Sequence, residues 1–100
     1  MKRYLVTFLI LAGASLLLPA QRKTINLPDL PGFVTLKCDF HMHTVFSDGN
    51  VWPTVRVAEA YRDGLDAIAI TDHIEYQPKK DYIPTDHNAA WKIAGNAARE

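Results

Sequence analysis

Hydrophobic positions change their spacing several times along the chain, and each change marks an element. Residues 4–18 are mainly apolar, diluted by Gly13, Ala14 and Ser15, whereas residues 21–33 carry Pro28, Pro31 and Gly32 with no sustained period and read as a tether or edge segment. Residues 33–40 are rich in β-branched and aromatic side chains and predict a strand that ends near two histidines. A turn cluster follows, Ser47, Asp48, Gly49 and Asn50. Val55, Ala58 and Tyr61 or Arg62 then recur at helical spacing, which predicts a helix over 53–63 with Pro53 in its first turn and Gly64 at its C-terminal cap. Residues 65–71 form a short, almost continuous apolar run, the pattern of a strand covered on both faces. After a long loop containing Pro78 and Pro84, residues 88–100 read as a second helix, with Asp86 as its cap and Trp91, Ala94 or Gly95, and Ala98 on its inner side.

Strand, helix, strand in this order is a βαβ unit, so the fold class is α/β with parallel strands. Parallel pairing carries the C-terminal ends of both strands to one edge. His41, His43 and His73 therefore meet there, where α/β folds place their sites. On the second strand Ala67, Ala69, Thr71 and His73 share one face, and Ile68 and Ile70 the other, which suits a barrel with the small face inside. Trp52, Tyr61 and Trp91 sit at helical positions and read as core. The single cysteine, Cys38, has no intramolecular disulfide partner and reads as a buried, inert strand residue.

Composition changes the picture mainly at the N-terminus. Lys2 and Arg3 before the apolar run, and Pro19-Ala20 after it, form an export signal over 1–20. The run is only about 15 residues long against the roughly 20 needed to span a bilayer, so it predicts cleavage, no stable membrane anchor, and a periplasmic or secreted protein. From Gln21 onward nine basic residues stand against eleven acidic ones, a net charge of −2, and no basic stripe argues for nucleic acid. The domain layout is then a signal over 1–20, a linker or edge segment over 21–34, and a folded unit over 35–100.

The candidate chemistry lies in Asp39, His41, His43 and Asp48. In a strand Asp39, His41 and His43 would share one face, and two imidazoles in register can converge on one divalent ion without backbone distortion. Asp39 is then placed to accept a hydrogen bond from a ligand imidazole, while Asp72 would alternate to the other face in a supporting role. Imidazole with carboxylate suits borderline and harder divalent ions, with no thiolate needed.

Asp39, His41, His43 and Thr44, followed by Ser47-Asp48-Gly49, together with a hydrophobic strand ending in Thr71-Asp72-His73, resemble the two N-terminal motifs of the polymerase and histidinol phosphatase (PHP) domain. The specific motifs cover about residues 35–74 and the likeness extends loosely to residue 100. The resemblance implies a distorted seven-stranded (β/α) barrel carrying two or three divalent ions, often zinc, manganese or iron. It implies that His41 and His43 share one ion, that Asp48 and His73 belong to a second, and that the ions activate water to hydrolyse a phosphoester, for which export favours a small phosphorylated substrate. The family's third-strand glutamate, two further histidines and Asp-x-His have no match, and Glu75 follows the second strand too closely to stand in for the glutamate. With no third strand visible, the chain reads as the N-terminal βαβ(α) portion of that barrel, inactive alone. His87 and Lys79 are candidate substrate contacts. An amidohydrolase-type barrel also opens with His-x-His but lacks the Ser-Asp-Gly and Thr-Asp-His elements, and a non-catalytic metal-binding module would lack the later ligands.

Overall fold

A computed structural model describes residues 21–83 and 86–100, so the signal expected over 1–20 lies outside the described residues. The elements are β1 (Cys38–Met42), α1 (Pro53–Asp63), β2 (Ala67–Ile70) and α2 (His87–Ala97). β1 and β2 pair in parallel, which gives the expected βαβ unit. The two helices pack on each other and both reach β2.

Strand bounds follow partnership more than composition. β2 is four residues long, and pairing opens where the Lys37 carbonyl accepts from Asp66 N–H at 2.7 Å. Residues 33–36, expected to be strand, have no ladder partner among the described residues, and Phe33, Val34 and Leu36 are exposed. β1 therefore starts at Cys38, contains His41 and ends just before His43. Its register is irregular, since Asp39 opposes Ile68 while Met42 opposes Ile70. Three steps against two break the simple alternation. Asp39 and His43 are half-buried, whereas His41 is exposed, so the three do not form one uniform row. Cys38 is exposed as well, contrary to the buried position expected of it, because the helices pack on β2 and leave this part of β1 uncovered.

Helix α1 has the bounds its sequence predicts. Pro53 opens it, and Gly64 closes it at φ 83°, with its N–H returning to the Ala60 and Tyr61 carbonyls. A Cβ at Gly64 would strike the Lys23 carbonyl, so both conformation and space favour glycine there. The inner residues, however, are Pro53 and Ala60 with Val57 half-buried between them, whereas Val55, Ala58 and Tyr61 are exposed. Both stripes satisfy helical spacing, and the packing of α1 on α2 and β2 decides between them. On α2 Ala94 is buried as its spacing predicts, whereas Ala90 takes the inner place expected of Trp91, and Ala98 is exposed. Trp52, Tyr61 and Trp91 are 49%, 58% and 58% exposed, so these rings lie outside the core that their spacing predicts for them. Asp86 caps α2 as predicted, its side chain accepting from the Asn88 and Ala89 N–H groups.

The core lies beneath the loop that leaves β1. Val45, Phe46 and Ala90 are buried together, with Ile70, Ile83 and Ile93 packed around them. Burial of Val45 and Phe46 contributes about 1.5–3 kcal/mol each, so the loop carrying His43 and Asp48 is anchored by its own apolar side chains. At the opposite end of the sheet Lys23 N–H donates to the Arg62 carbonyl at 2.8 Å and Arg22 to the Leu65 carbonyl at 3.0 Å, tying the start of the described chain to the α1–β2 turn.

Candidate metal centre

The site is built by a turn folded back on itself after β1. Ser47 N–H donates to the Thr44 carbonyl at 3.1 Å, and Val45 N–H reaches the Val51 carbonyl at 2.9 Å. Gly49 passes so close to the preceding chain that a Cβ there would overlap the His43 carbonyl group and the Thr44 nitrogen. Only glycine admits that approach. From α1, Arg56 Nε donates to the His43 carbonyl at 3.0 Å while its Nη1 pairs with Glu59 at 3.0 Å.

Asp72 locks this turn to the end of β2. Its Oδ1 accepts from Thr44 N–H at 2.6 Å and from the Ser47 hydroxyl at 2.7 Å, and its Oδ2 accepts from the Thr44 hydroxyl at 2.7 Å. Thr44 and Ser47 are both 0% exposed, so the three donors have no water to turn to. Thr44 Oγ1 also accepts from Phe46 N–H at 3.2 Å, which completes the hydroxyl's role. Sequence reasoning gives Asp72 a supporting position but assigns nothing to Thr44 or Ser47. The signal is present in the placement of two small hydroxyls around a turn, each able to donate to one acceptor from another strand.

With the turn fixed, His43, Asp48 and His73 bring one potential ligand atom each within 4.8 Å of one another. The His43 and His73 rings meet edge to face at 4.5 Å between centroids. His43 Nδ1 lies 2.6 Å from Asp48 Oδ1, and that hydrogen bond is the main cause that holds the Asp48 carboxyl below its usual range, with the charges of His43 and His73 adding to it. His73 Nε2 is 4.0 Å from Asp48 Oδ2.

His41 joins this group only through its ring, tilted against His43 at 4.8 Å. Its backbone N–H donates to Asp39 Oδ1 at 3.0 Å, so Asp39 holds main chain here rather than the imidazole expected. The resemblance pairs His41 with His43 and Asp48 with His73, whereas the side chains draw His43 toward the latter two.

The donor set fits a divalent ion. Two imidazoles and a carboxylate offer the nitrogen and oxygen ligands that zinc, manganese and ferrous iron accept. A more specific observation is His43 Nε2, which is buried and has no hydrogen-bond partner. A buried polar atom left without a partner costs free energy and calls for a ligand, and a neutral imidazole nitrogen is a metal donor.

A PHP domain model matches residues 39–94. The chain belongs to the PHP domain family. It is similar, at 61% identity and a TM-score of 0.76 over 79% of its length, to a two-domain protein of Bacteroides vulgatus described as containing a predicted PHP-like metal-dependent phosphoesterase. It is also 46% identical over 48 residues to an uncharacterized protein of Methanocaldococcus jannaschii. The PHP chain spans 23% and 22% of the lengths of these two relatives.

Of the two candidate substrate contacts in this PHP domain, Lys79 is drawn onto the site's own backbone. Its ammonium donates to the Gly49 carbonyl at 2.6 Å and the Asp48 carbonyl at 3.2 Å. The side chain of His87 lies outside what the structure describes. Sequence reasoning misses two charged groups here: Arg56, which braces the His43 carbonyl, and Glu75, whose Oε1 lies 2.9 Å from His73 Nδ1.

Proposed function

We propose that this PHP domain forms one edge of a metal-dependent phosphoesterase centre, in which His41, His43, Asp48 and His73 hold divalent ions and water cleaves a phosphoester of a small substrate. The observation that carries the reading is the buried, unpartnered Nε2 of His43 inside a His-Asp-His cluster, since a bound divalent ion would give this atom the partner it lacks. Divalent ions, when bound, polarise phosphoryl oxygens and acidify water.

The chain's own residues do the rest. Asp48 orients His43 through Oδ1 and presents Oδ2 beside His73. Asp72 keeps the two arms of the site at fixed separation through Thr44 and Ser47. Lys79 adds a cation to the rim beside Asp48 and Gly49, where an anionic ester would approach. The remainder of the reading is a distorted (β/α) barrel completed by sequence beyond these elements, in an exported protein whose signal occupies 1–20.

The test uses the full-length protein. Its metal content is measured, the metal is stripped with a chelator, and hydrolysis of p-nitrophenyl phosphate and bis-p-nitrophenyl phosphate is followed before and after zinc or manganese is returned. Hydrolysis that disappears on stripping and returns with the metal is expected. A protein that holds no divalent ion, or that cleaves neither ester when loaded, overturns the reading.

A further inference from the structure

We propose that Glu75 is the positioning residue of His73: its carboxylate holds that imidazole as the Nδ1–H tautomer and leaves Nε2 free as the ligand atom. The inference rests on the metal-binding reading of the His43, Asp48 and His73 cluster and adds a residue to it. His73 Nδ1 lies 2.9 Å from Glu75 Oε1, while Nε2 of the same ring lies 4.0 Å from Asp48 Oδ2. An ionised carboxylate can only accept, so Nδ1 carries the hydrogen and the neutral ring keeps its lone pair on Nε2.

The neighbouring ring repeats the arrangement. His43 gives Nδ1 to Asp48 Oδ1 at 2.6 Å, and its Nε2 is buried without a partner. Both histidines are thus anchored to a carboxylate through Nδ1, and in both the nitrogen left over is Nε2. The Tyr76 ring stands edge-on to His73 at 6.2 Å and the His43 ring at 4.5 Å, so the imidazole is flanked by rings as well as held by Glu75. The chain bends at Ile74 and Glu75 after leaving β2, and the Glu75 carboxylate meets the His73 ring across that bend.

The weaker reading of Glu75 is an ordinary surface carboxylate, and its side chain is indeed 75% exposed. An ion pair so open to water adds little to fold stability. Orienting a ligand ring is a different effect: removing the carboxylate behind a metal-binding histidine lowers metal affinity by about 10–100-fold. That difference separates the two readings by experiment.

In the full-length protein Glu75→Ala and Glu75→Gln are compared with the parent. The tautomer of His73 is read in the metal-free protein near pH 8 from two-bond nitrogen–proton correlations, its signals assigned by their loss in His73→Asn. Zinc affinity is measured in parallel. The parent is expected to show Nδ1–H at His73. Glu75→Ala is expected to move the ring toward the Nε2–H form that an unrestrained imidazole favours, and to weaken zinc binding about 10–100-fold. Glu75→Gln keeps an accepting oxygen and is expected to recover most of both. A parent ring already in the Nε2–H form, or a tautomer that ignores Glu75→Ala, overturns the proposal. So does weaker zinc binding with an unchanged tautomer, which would make Glu75 a direct ligand or a plain source of charge. Because the tautomer is read without metal or substrate, a protein that hydrolyses no phosphoester would sink the proposed activity and leave this result standing.

Discussion

Two aspartates bracket β2, and they close the two ends of the sheet in opposite ways. Asp66, before the strand, accepts from Lys37 N–H at 3.0 Å, pairs with the Lys37 ammonium at 2.9 Å and with the Arg22 guanidinium at 2.8 Å. Every strong partner it needs is present, two of them cations, and the cluster lies toward solvent. Asp72, after the strand, gathers three uncharged donors from two fully buried residues. Among the buried side-chain polar atoms of the described residues, His43 Nε2 is the one without a partner. The end with its groups matched holds the chain together. The end with a buried polar atom left over is the one proposed to take a ligand.

The largest test of that contrast removes the leftover atom. His43→Ala in the full-length protein is expected to bring zinc stoichiometry at its site and phosphoester turnover to background while leaving the far-ultraviolet circular dichroism of the parent. His41→Ala is expected to lose metal as well, and undiminished metal and turnover in both variants would contradict the assigned roles. Next comes the lock. Asp72→Ala strands Thr44 N–H and two hydroxyls away from water, and at about 1–3 kcal/mol for each unsatisfied buried group the variant should lose roughly 3 kcal/mol or more in urea unfolding, together with zinc affinity. Asp72→Asn, which retains an accepting oxygen, should lose less. If Asp72→Ala unfolds like the parent, the clamp is not what joins the two arms.

A smaller effect is expected at the close approach. Gly49→Ala forces a Cβ into the His43 carbonyl group and should destabilise by about 1–3 kcal/mol, with zinc affinity falling because His43 and Asp48 must separate. The smallest belongs to the other end of the sheet. Hydrogen bonds from Lys37 backbone and ammonium, then Arg22, lower the Asp66 carboxyl from 3.8 to about 2. A folded-state value below the unfolded one means that this contribution is complete above pH 3.8 and fades as pH falls toward about 2. Asp66→Asn should therefore flatten the acid limb of the stability profile between those values and leave zinc affinity unchanged. A change in zinc affinity there would show that the two ends are coupled.

Much of the fold and of the centre is legible in the residues alone. Pro53 and Gly64 bound α1 correctly because both act through local backbone geometry. Asp86 caps α2 for the same reason. The histidines and Asp48 stand out through residue type and spacing, and parallel pairing of the strands follows from the helix between them. The misplacements share one cause. Hydrophobicity assigns Trp52, Tyr61, Trp91 and Cys38 to the interior, yet burial depends on which face a neighbouring element covers. On α1 two stripes meet the helical period and the one with Pro53 and Ala60 is buried, while on α2 Ala90 rather than Trp91 joins Ala94 inside.

The sequence by itself determined the α/β order, the caps, the PHP motifs and the residue types of the centre, because these depend on neighbours along the chain or on the chemistry of single side chains. Tertiary structure alone decided that β1 would slip register between Asp39 and Met42, and that Thr44 and Ser47 would close on Asp72. It also decided that His43 would turn toward Asp48 and His73, and that Glu75 would stand behind His73. The last of these is close in sequence but depends on the path the chain takes as it leaves β2. The clamp joins residues 25 and 28 positions apart, and such geometry is set only when the turn and the two strands pack together.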